Sequence, residues 1–378
     1  MGAQHDFTSI PKLDLSLAND ESTKPQLLEQ LRYALVNVGF LYIVNHGIPE
    51  DVIAKVVLAL PVLFALPTET KVEVAVDESP HFLGYSRNGT ETTAGQIDRR
   101  EQFEFATELD ATWSGSGNIP LCERLRGPNQ WPAAYPNLRP IVETYIAELT
   151  LLGERFLRLV AEALSLPSET LFSFLSDQHR LKLVRYPPAT SKQEGDVQGV
   201  GPHKDSSGWW TFLLQASPPE VRGLQALNRA GAWIDVPVVP GSFVVNIGQA
   251  FEVVTNGVCR ATTHRVVMTS SDNSDGSAQI PQERFSVPFF QGVRRDLTRD
   301  EAVGTLREHF ARFRAMLSQD SGEVDDGGLE ARKIDSPFLQ GKYDTWGESQ
   351  LRIKVRSHQA VGRRFYGEVF DKYMNDDL

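Results

Sequence analysis

The chain has 378 residues, a formal net charge of −11, 41% hydrophobic residues and 23% charged residues, a composition typical of a globular protein rather than a disordered or fibrous one. The acidic balance disfavours nucleic acid and anionic membrane surfaces as partners, because both require clusters of Lys and Arg. The longest apolar run, residues 56–67, is also too short to cross a bilayer.

The number of cysteines helps to predict the cellular compartment of the protein and the side chains that could bind a metal. Only Cys122 and Cys259 are present, too few for a disulfide scaffold or a thiolate metal site. The first residues have neither the basic region nor the apolar core of a secretory signal. We therefore expect a cytoplasmic protein in which His and carboxylate side chains bind any metal.

The N-terminal part is predicted to mix short strands with helices. Residues 10–15 alternate apolar and polar side chains, which predicts a strand, whereas residues 27–38 repeat apolar side chains at helical spacing. A second strand is expected over residues 40–44. Residues 52–64 have a helical pattern that Pro61 should kink or end.

The later part of the chain is predicted to be a β-barrel or jelly roll between helices. A long apolar stripe over 141–164 predicts an amphipathic helix, and residues 301–317 and 351–373 predict helices near the C-terminus. The Ser- and Asp-rich stretch 269–282 predicts a surface loop. Short β-branched and aromatic runs between turn residues predict strands over 181–186, 209–215, 223–228, 233–237, 242–247, 261–268 and 284–291.

Three side chains are candidates to bind one metal ion. His203 and Asp205 stand two positions apart, and on a strand such residues project from the same face. His264, set among β-branched residues, is the candidate for a third ligand. Two imidazoles and one carboxylate leave open positions on a ferrous ion, the arrangement of non-haem oxygenases. Taken alone, these residues could equally be ordinary surface or core residues.

A second signal lies in the predicted strand 284–291. Arg284 and Ser286 share one face of this strand, while Phe285 points to the other. A guanidinium buried in an apolar strand is costly unless an anion pairs with it. Its planar group can hold a carboxylate by two parallel hydrogen bonds, and the Ser hydroxyl can add a third. The structural alternative is an internal pair with a protein Asp or Glu.

These segments, in this order, resemble the core of the isopenicillin N synthase-like family of Fe(II)- and 2-oxoglutarate-dependent dioxygenases, in a form similar to fungal sequences. The core motifs are GPHKDSSGWWTFLLQ, the segment 223–257, CRATTHRVV and ERFSVPFF. IPKLDLSL and LLEQLRYALVNVGFLYIVNHGIP resemble the family's N-terminal region. The resemblance therefore covers most of residues 9–292.

The resemblance implies an α+β, mainly β fold, in which a double-stranded β-helix, a distorted jelly roll, is flanked by α-helices. It also implies that His203, Asp205 and His264 bind Fe(II). Arg284 and Ser286 would hold the distal carboxylate of 2-oxoglutarate, helped by the hydroxyl of Tyr186. His46 also fits the family pattern, and we interpret it as structural.

The predicted organisation has four segments. Residues 1–130 form an N-terminal mixed helical region, and residues 131–180 contain the long helix that packs on the core. Residues 181–295 form the jelly-roll core, and residues 296–378 form a C-terminal helical extension.

The expected activity is oxidative decarboxylation of 2-oxoglutarate by O₂, coupled to hydroxylation, desaturation or cyclisation of a small organic molecule in secondary metabolism. Two alternatives stay open: an Fe(II) oxidase of the same fold that does not consume 2-oxoglutarate, and a non-catalytic receptor for a small ligand. A zinc hydrolase would lack a general base and leave Arg284 without a purpose. The substrate is expected to be hydrophobic or derived from an amino acid. Candidates to line its site are Phe82, Tyr85, Arg87, Phe103, Phe212 and Phe289.

Overall fold

The structure is a computed structural model, and it describes residues 6–93, 96–113, 119–188, 197–206, 208–268, 282–321, 334, 336 and 338–375. The strands are β1 (Lys12–Asp14), β2 (Phe40–Val44), β3 (Gly84–Ser86), β4 (Thr92–Thr93), β5 (Gln96–Ile97), β6 (Glu101–Ala106), β7 (Arg180–Tyr186), β8 (Val197–His203), β9 (Trp210–Gln215), β10 (Leu224–Leu227), β11 (Trp233–Asp235), β12 (Ser242–Ile247), β13 (His264–Met268) and β14 (Arg284–Phe290). The α-helices are α1 (Lys24–Tyr33), α2 (Glu50–Phe64), α3 (Thr68–Val72), α4 (Leu138–Ala163), α5 (Gln249–Val254), α6 (Arg299–Gly304), α7 (Arg307–Ser321), α8 (Trp346–Ser357), α9 (Gln359–Phe365) and α10 (Gly367–Asn375).

Two β-sheets face each other and form the jelly roll that the sequence predicts. The larger sheet has the strand order β1-β2-β12-β9-β14-β7-β6-β3, and the smaller has the order β11-β10-β13-β8. Apolar side chains from both sheets, including Val184 and Leu213 of the larger and Leu224 and Val266 of the smaller, fill the space between them. We call this side of the larger sheet its inner face.

The other face of the larger sheet is covered by helices. Alternate residues of a strand point to opposite faces, so Phe103 of β6, Phe212 of β9 and Phe289 of β14 pack in the core cluster that also holds α1, α2 and α4. The long helix α4 contributes Val142, Leu149 and several other fully buried side chains at helical spacing. Because this stripe is buried, the apolar pattern over residues 141–164 predicted both ends of α4 to within three residues.

Segments from the N-terminal region are built into the larger sheet. Strands β1, β2, β3 and β6 come from the first 130 residues, yet they share one sheet with β7, β9, β12 and β14. The division of the chain at residues 130, 180 and 295 stays a prediction. No helix of the described residues is long and apolar enough to span a membrane.

Two details differ from the sequence-based expectations, and a third expectation is not tested by the structure. Pro61 does not end α2 at once, because it stands in the last turn and the helix continues to Phe64. The single helix predicted over 301–317 is two helices, α6 and α7. The predicted loop 269–282 lies outside the described residues except for Gln282.

Gly39 turns the chain from the first helical segment into β2. Its φ is +73°, and a Cβ at this position would clash with the backbone oxygen of Arg260. We expect Gly39→Ala to lower the free energy of unfolding by roughly 2–4 kcal/mol, because a left-handed backbone and a steric clash add up. Gly241→Ala is the matched control, since Gly241 has a φ of +69° and no atom within 4 Å of the added Cβ. Equal urea midpoints for the two variants would contradict this account.

Candidate metal centre and co-substrate site

The side chains of His203, Asp205 and His264 converge at one edge of the space between the sheets. β8 ends at His203, β13 begins at His264, and these two residues are register partners. The potential ligand atoms of the three residues all lie within 4.8 Å of one another. Nε2 of each imidazole lies 3.6 Å from Oδ1 of Asp205. No other group of this kind occurs in the part of the chain that the structure describes.

Asp205 reaches this cluster in a way that the sequence did not predict. It lies two residues beyond the end of β8, so the argument from alternation along a strand does not apply to it. Its backbone oxygen accepts a hydrogen bond of 2.8 Å from the amide of Gln249. Its Oδ2 accepts hydrogen bonds from Thr211 Oγ1 at 2.5 Å and from Asn246 Nδ2 at 2.7 Å. These contacts turn Oδ1 towards the two imidazoles.

Both imidazoles present the same nitrogen to the centre of the cluster. His203 Nδ1 lies 2.8 Å from the carbonyl oxygen of Gly201, and His264 Nδ1 lies 3.1 Å from that of Thr262. A carbonyl oxygen can only accept, so Nδ1 must carry the hydrogen in each ring. The lone pair of each Nε2 is then directed at the site, which is how metal-binding histidines are oriented in proteins.

The protonation states also suit metal binding. Burial lowers the pKa of His264 to about 4, and His203 adds to this effect, so the ring is neutral near pH 7. Burial alone would raise the pKa of the Asp205 carboxyl, but His203, His264 and the hydrogen bond from Thr211 outweigh it and hold the pKa below the ordinary value. Imidazole and carboxylate ligands of this kind suit a ferrous ion with open coordination positions.

Thr211 and Asn246 hold the carboxylate of Asp205, and partners of this kind typically contribute 10–100-fold to metal affinity. We expect Thr211→Val, which removes the hydroxyl and keeps the side-chain shape, to weaken Mn(II) binding by about tenfold or more. The measurement is anaerobic calorimetric titration with Mn(II) as a stable stand-in for Fe(II). Thr150→Val on α4 is the control, because Thr150 bonds only a backbone oxygen of its own helix. Equal affinities in both variants would refute the assigned role of Thr211.

Arg284 lies on the inner face, and none of the described residues places an anion beside it. Its side chain is among the largest that are fully buried, and burial lowers its pKa while Tyr186 opposes that effect. Nη2 donates to Gln215 Oε1 at 3.3 Å, whereas Nη1 has no hydrogen-bond partner. Among the described residues, no carboxylate forms an ion pair with this guanidinium. The structural alternative of an internal ion pair therefore has no support.

Tyr186 and Ser286 flank this guanidinium. Tyr186 is the register partner of Arg284 across β7 and β14, and the guanidinium carbon lies 5.0 Å from the centre of its ring. Ser286 is buried and lies two residues along the same face. Gly199 allows β8 to approach, because a Cβ there would lie 3.0 Å from Cδ1 of Tyr186. The three side chains form a cationic, hydroxyl-lined recess suited to a carboxylate.

Comparisons with known proteins identify the family. Residues 178–293 match the family model of the 2OG-Fe(II) oxygenase superfamily, and residues 10–134 match that of the non-haem dioxygenase in morphine synthesis N-terminal region. A 2-oxoglutarate-dependent dioxygenase of Dothideomycetidae sp. is 40% identical over 96% of this chain and 94% of its own length. The chain belongs to the 2OG-Fe(II) oxygenase superfamily. The predicted family and the predicted enzyme class are thereby confirmed, and the receptor alternative is set aside.

Other relatives of this oxygenase agree in family and fold. A homoarginine-6-hydroxylase of Arabidopsis thaliana is 32% identical over 75% of this chain and 85% of its own length. A full-length Neurospora crassa protein, solved in complex with alpha-KG (2-oxoglutarate) and thymine, has a TM-score of 0.64 at 22% identity, covering 81% of this chain and 97% of that one. A putative 2OG-Fe(II) oxygenase from Caulobacter crescentus has a TM-score of 0.63 at 25% identity, covering 82% and 100%. The jelly-roll fold is confirmed, as are Fe(II), 2-oxoglutarate and O₂ as the cofactor and co-substrates of the family.

The residues expected to line the substrate site of the oxygenase are mostly elsewhere. Tyr85, Phe103, Phe212 and Phe289 pack on the helix-covered face of the sheet and cannot reach the metal centre. Phe82 stacks on Tyr366, and Arg87 is exposed. His46 packs edge-on against Phe243 at 4.8 Å and is not part of the metal cluster.

Sequence reasoning also missed polar residues on the inner face. Asp98, Arg100, Gln102 and Glu104 occupy every second position of the segment that enters and forms β6, and Phe103 separates the last two. This alternation was the available signal. The alternation does not by itself predict a buried site, because polar residues at every second position of a strand ordinarily indicate a face in contact with solvent.

Proposed function

We propose that this oxygenase couples the oxidative decarboxylation of 2-oxoglutarate to the hydroxylation of a small organic molecule. The observation that carries the proposal is the buried guanidinium of Arg284, which pairs with no carboxylate of the described residues and whose Nη1 has no hydrogen-bond partner among them. Hydroxylation is chosen over desaturation and cyclisation because relatives at 32–33% identity are named homoarginine-6-hydroxylases. A cytoplasmic location and a role in secondary metabolism belong to the same proposal.

In this proposal His203 and His264 would each bind Fe(II) through Nε2, and Asp205 would bind it through Oδ1. Thr211 and Asn246 fix the orientation of the carboxylate. Backbone carbonyls keep the hydrogen of each imidazole on Nδ1, away from the metal. When bound, iron and 2-oxoglutarate supply the oxidising power together with O₂.

Arg284, Ser286 and Tyr186 have a separate task, which is to hold the distal carboxylate of 2-oxoglutarate. A guanidinium can bind a carboxylate through two parallel hydrogen bonds, and hydroxyl groups on the same face can add further ones. Both Tyr186 and Ser286 share the face of Arg284. Because these groups are buried, water competes poorly for them and the interaction is strengthened.

The competing hypothesis is an Fe(II) oxidase that does not consume 2-oxoglutarate. Relatives include a 1-aminocyclopropane-1-carboxylate oxidase of Dictyostelium discoideum at 28% identity. The test is to measure succinate and hydroxylated product formed by the Fe(II)-loaded protein in the same reaction. One succinate per hydroxylated product supports the proposal, whereas product formed without succinate would overturn it.

A further inference from the structure

Beside the co-substrate recess, the inner face of the larger sheet carries buried charges instead of apolar side chains. The strand that supplies Tyr186 also supplies Lys182, and the neighbouring β6 supplies Glu104 as its register partner. The C-terminal helix α8 adds Lys354. We call this surface the charged wall, and its residues are Asp98, Arg100, Gln102, Glu104, Lys182 and Lys354.

The charged wall continues the face that holds the co-substrate anchor. Ser286 pairs in register with Val184, and Val184 pairs with Gln102. Adjacent strands lie about 4.8 Å apart, so Gln102 stands about 10 Å from Ser286 on the same face. Burial lowers the pKa of Arg100, but Glu91, Asp98 and then Tyr186 raise it and together outweigh burial, so Tyr186 of the recess lies beside Arg100 of the wall. The wall and the recess are therefore neighbouring parts of one face of the larger sheet.

Helix α8 connects the charged wall to the metal centre. Gln350 Nε2 donates to the backbone oxygen of Ser206, the residue after Asp205. One turn later on the same helix, Lys354 Nζ lies 2.5 Å from Glu104 Oε1. Helix α8 therefore links the wall to the backbone that follows the proposed metal ligand Asp205.

Five buried polar atoms of the wall have no hydrogen-bond partner among the described residues. In the described residues, buried carboxylate or amide oxygens without a hydrogen bond occur in four side chains, which are Asp98, Gln102, Glu104 and Gln291. Three of these belong to the wall. Gln102 is 1% exposed, and neither its Oε1 nor its Nε2 has a partner. Because each such atom costs roughly 1–3 kcal/mol, a network that served only to hold α8 would be expected to satisfy them.

The signs of the charges indicate what kind of ligand would supply the missing partners. The wall contains three cations, Arg100, Lys182 and Lys354, and two carboxylates, Asp98 and Glu104. Lys182 Nζ donates to Oε1 of the buried Glu91 at 3.4 Å and lies 3.7 Å from Glu104 Oε2, and Glu91 also pairs with Arg100. The atoms left without partners are of both kinds, because Nε of Arg100 is a donor whereas Oδ1 of Asp98 and Oε2 of Glu104 are acceptors. An apolar substrate would leave these groups buried without new partners. A molecule with one negative and one positive group would complement both signs.

Building on the proposed oxygenase function, we propose that the charged wall binds the substrate, and that this substrate is a small zwitterion of the basic amino-acid type. The amide of Gln102 is assigned as a positioning contact, because it offers one donor and one acceptor to such a molecule. The sequence left two substrate classes open, hydrophobic molecules and molecules derived from amino acids. This proposal keeps only the molecules derived from amino acids.

The first test uses the wild-type protein loaded anaerobically with Fe(II) and 2-oxoglutarate. The probes are L-ornithine, L-lysine, L-arginine and L-homoarginine, compared by calorimetry with agmatine, 5-guanidinopentanoic acid and 3-phenylpropanoic acid. At least one amino acid should bind about tenfold or more tightly than agmatine, which lacks the carboxylate, than 5-guanidinopentanoic acid, which lacks the α-amino group, and than 3-phenylpropanoic acid, which keeps a carboxylate but lacks both positive groups. If 2-oxoglutarate binds and no amino acid exceeds 3-phenylpropanoic acid, the substrate assignment is wrong while the oxygenase function stands. If 2-oxoglutarate itself fails to bind, the proposed function is wrong.

The second test separates a positioning role of Gln102 from a structural one. Gln102→Met removes the amide and keeps the side-chain length, so thermal stability should be unchanged or raised while affinity for the tightest amino acid falls about tenfold. Gln291→Met is the matched control, because Gln291 is an equally buried, unpartnered amide that packs against Gly153 of α4. The control should retain wild-type affinity for the amino acid, and both variants should retain affinity for 2-oxoglutarate. Unchanged amino-acid affinity in Gln102→Met would overturn the assignment.

Discussion

Asp205→Ala is expected to abolish Fe(II) binding and turnover while the protein remains folded. Asp205 is the sole carboxylate of the proposed ligand set, and its Oδ1 lies 3.6 Å from Nε2 of both His203 and His264. Removing an orienting partner of a metal ligand typically costs 10–100-fold, so removing the charged ligand itself should cost more than about 100-fold in affinity. His203→Ala and His264→Ala should have the same effect, because each removes a ligand from the same ion.

The measurement is anaerobic metal titration together with a circular dichroism melt. Asp235→Ala is the control, because Asp235 is exposed on β11 and bonds only to Gln225 among the described residues. This control should bind metal as the wild type does. Wild-type metal affinity in Asp205→Ala would show that the ion binds elsewhere.

Arg284→Ala is expected to raise the dissociation constant of 2-oxoglutarate by about 10–100-fold, since hydrogen bonds to charged groups contribute roughly 1.5–3 kcal/mol. The ligand-free variant should be no less stable than the wild type. The reason is that the guanidinium is buried without an ion-pair partner among the described residues, so its removal relieves a desolvation cost. A residue with a purely structural ion pair would behave in the opposite way.

The affinity is measured by anaerobic calorimetry on the metal-loaded protein. Arg284→Lys should recover only part of the affinity, because an ammonium lacks the two-pronged geometry of the guanidinium. Arg155→Ala, far from the site beside the backbone oxygen of His46, is the control. An unchanged affinity for 2-oxoglutarate in Arg284→Ala would show that the co-substrate does not bind in this recess.

Much of the site could be predicted because local spacing determines which side chains share a face. Arg284 and Ser286 were placed together by the alternation of a strand, and β14 has this alternation. His264 was selected among β-branched residues that do form a strand. The ordered motifs also indicate the family from the sequence alone.

The features of the site that the sequence did not predict depend on contacts between distant parts of the chain. Asp205 is positioned by the amide of Gln249, and this contact cannot be inferred from the spacing between His203 and Asp205. The aromatic residues Phe103, Phe212 and Phe289 were assigned to the substrate because the sequence does not reveal which face of a sheet is covered by helices. Gln102 and Glu104 resembled solvent-facing positions because α8, which covers that region, comes 250 residues later in the chain.

The central claim is that His203, Asp205 and His264 bind one ferrous ion and that Arg284 holds 2-oxoglutarate next to it. The most direct test is an anaerobic crystal structure with Fe(II) and 2-oxoglutarate, in which anomalous scattering locates the iron. We predict one iron bonded to Nε2 of both histidines and to Oδ1 of Asp205, with the distal carboxylate of 2-oxoglutarate paired to the Arg284 guanidinium. Iron bound at another place, or a co-substrate carboxylate that does not contact Arg284, would contradict the account.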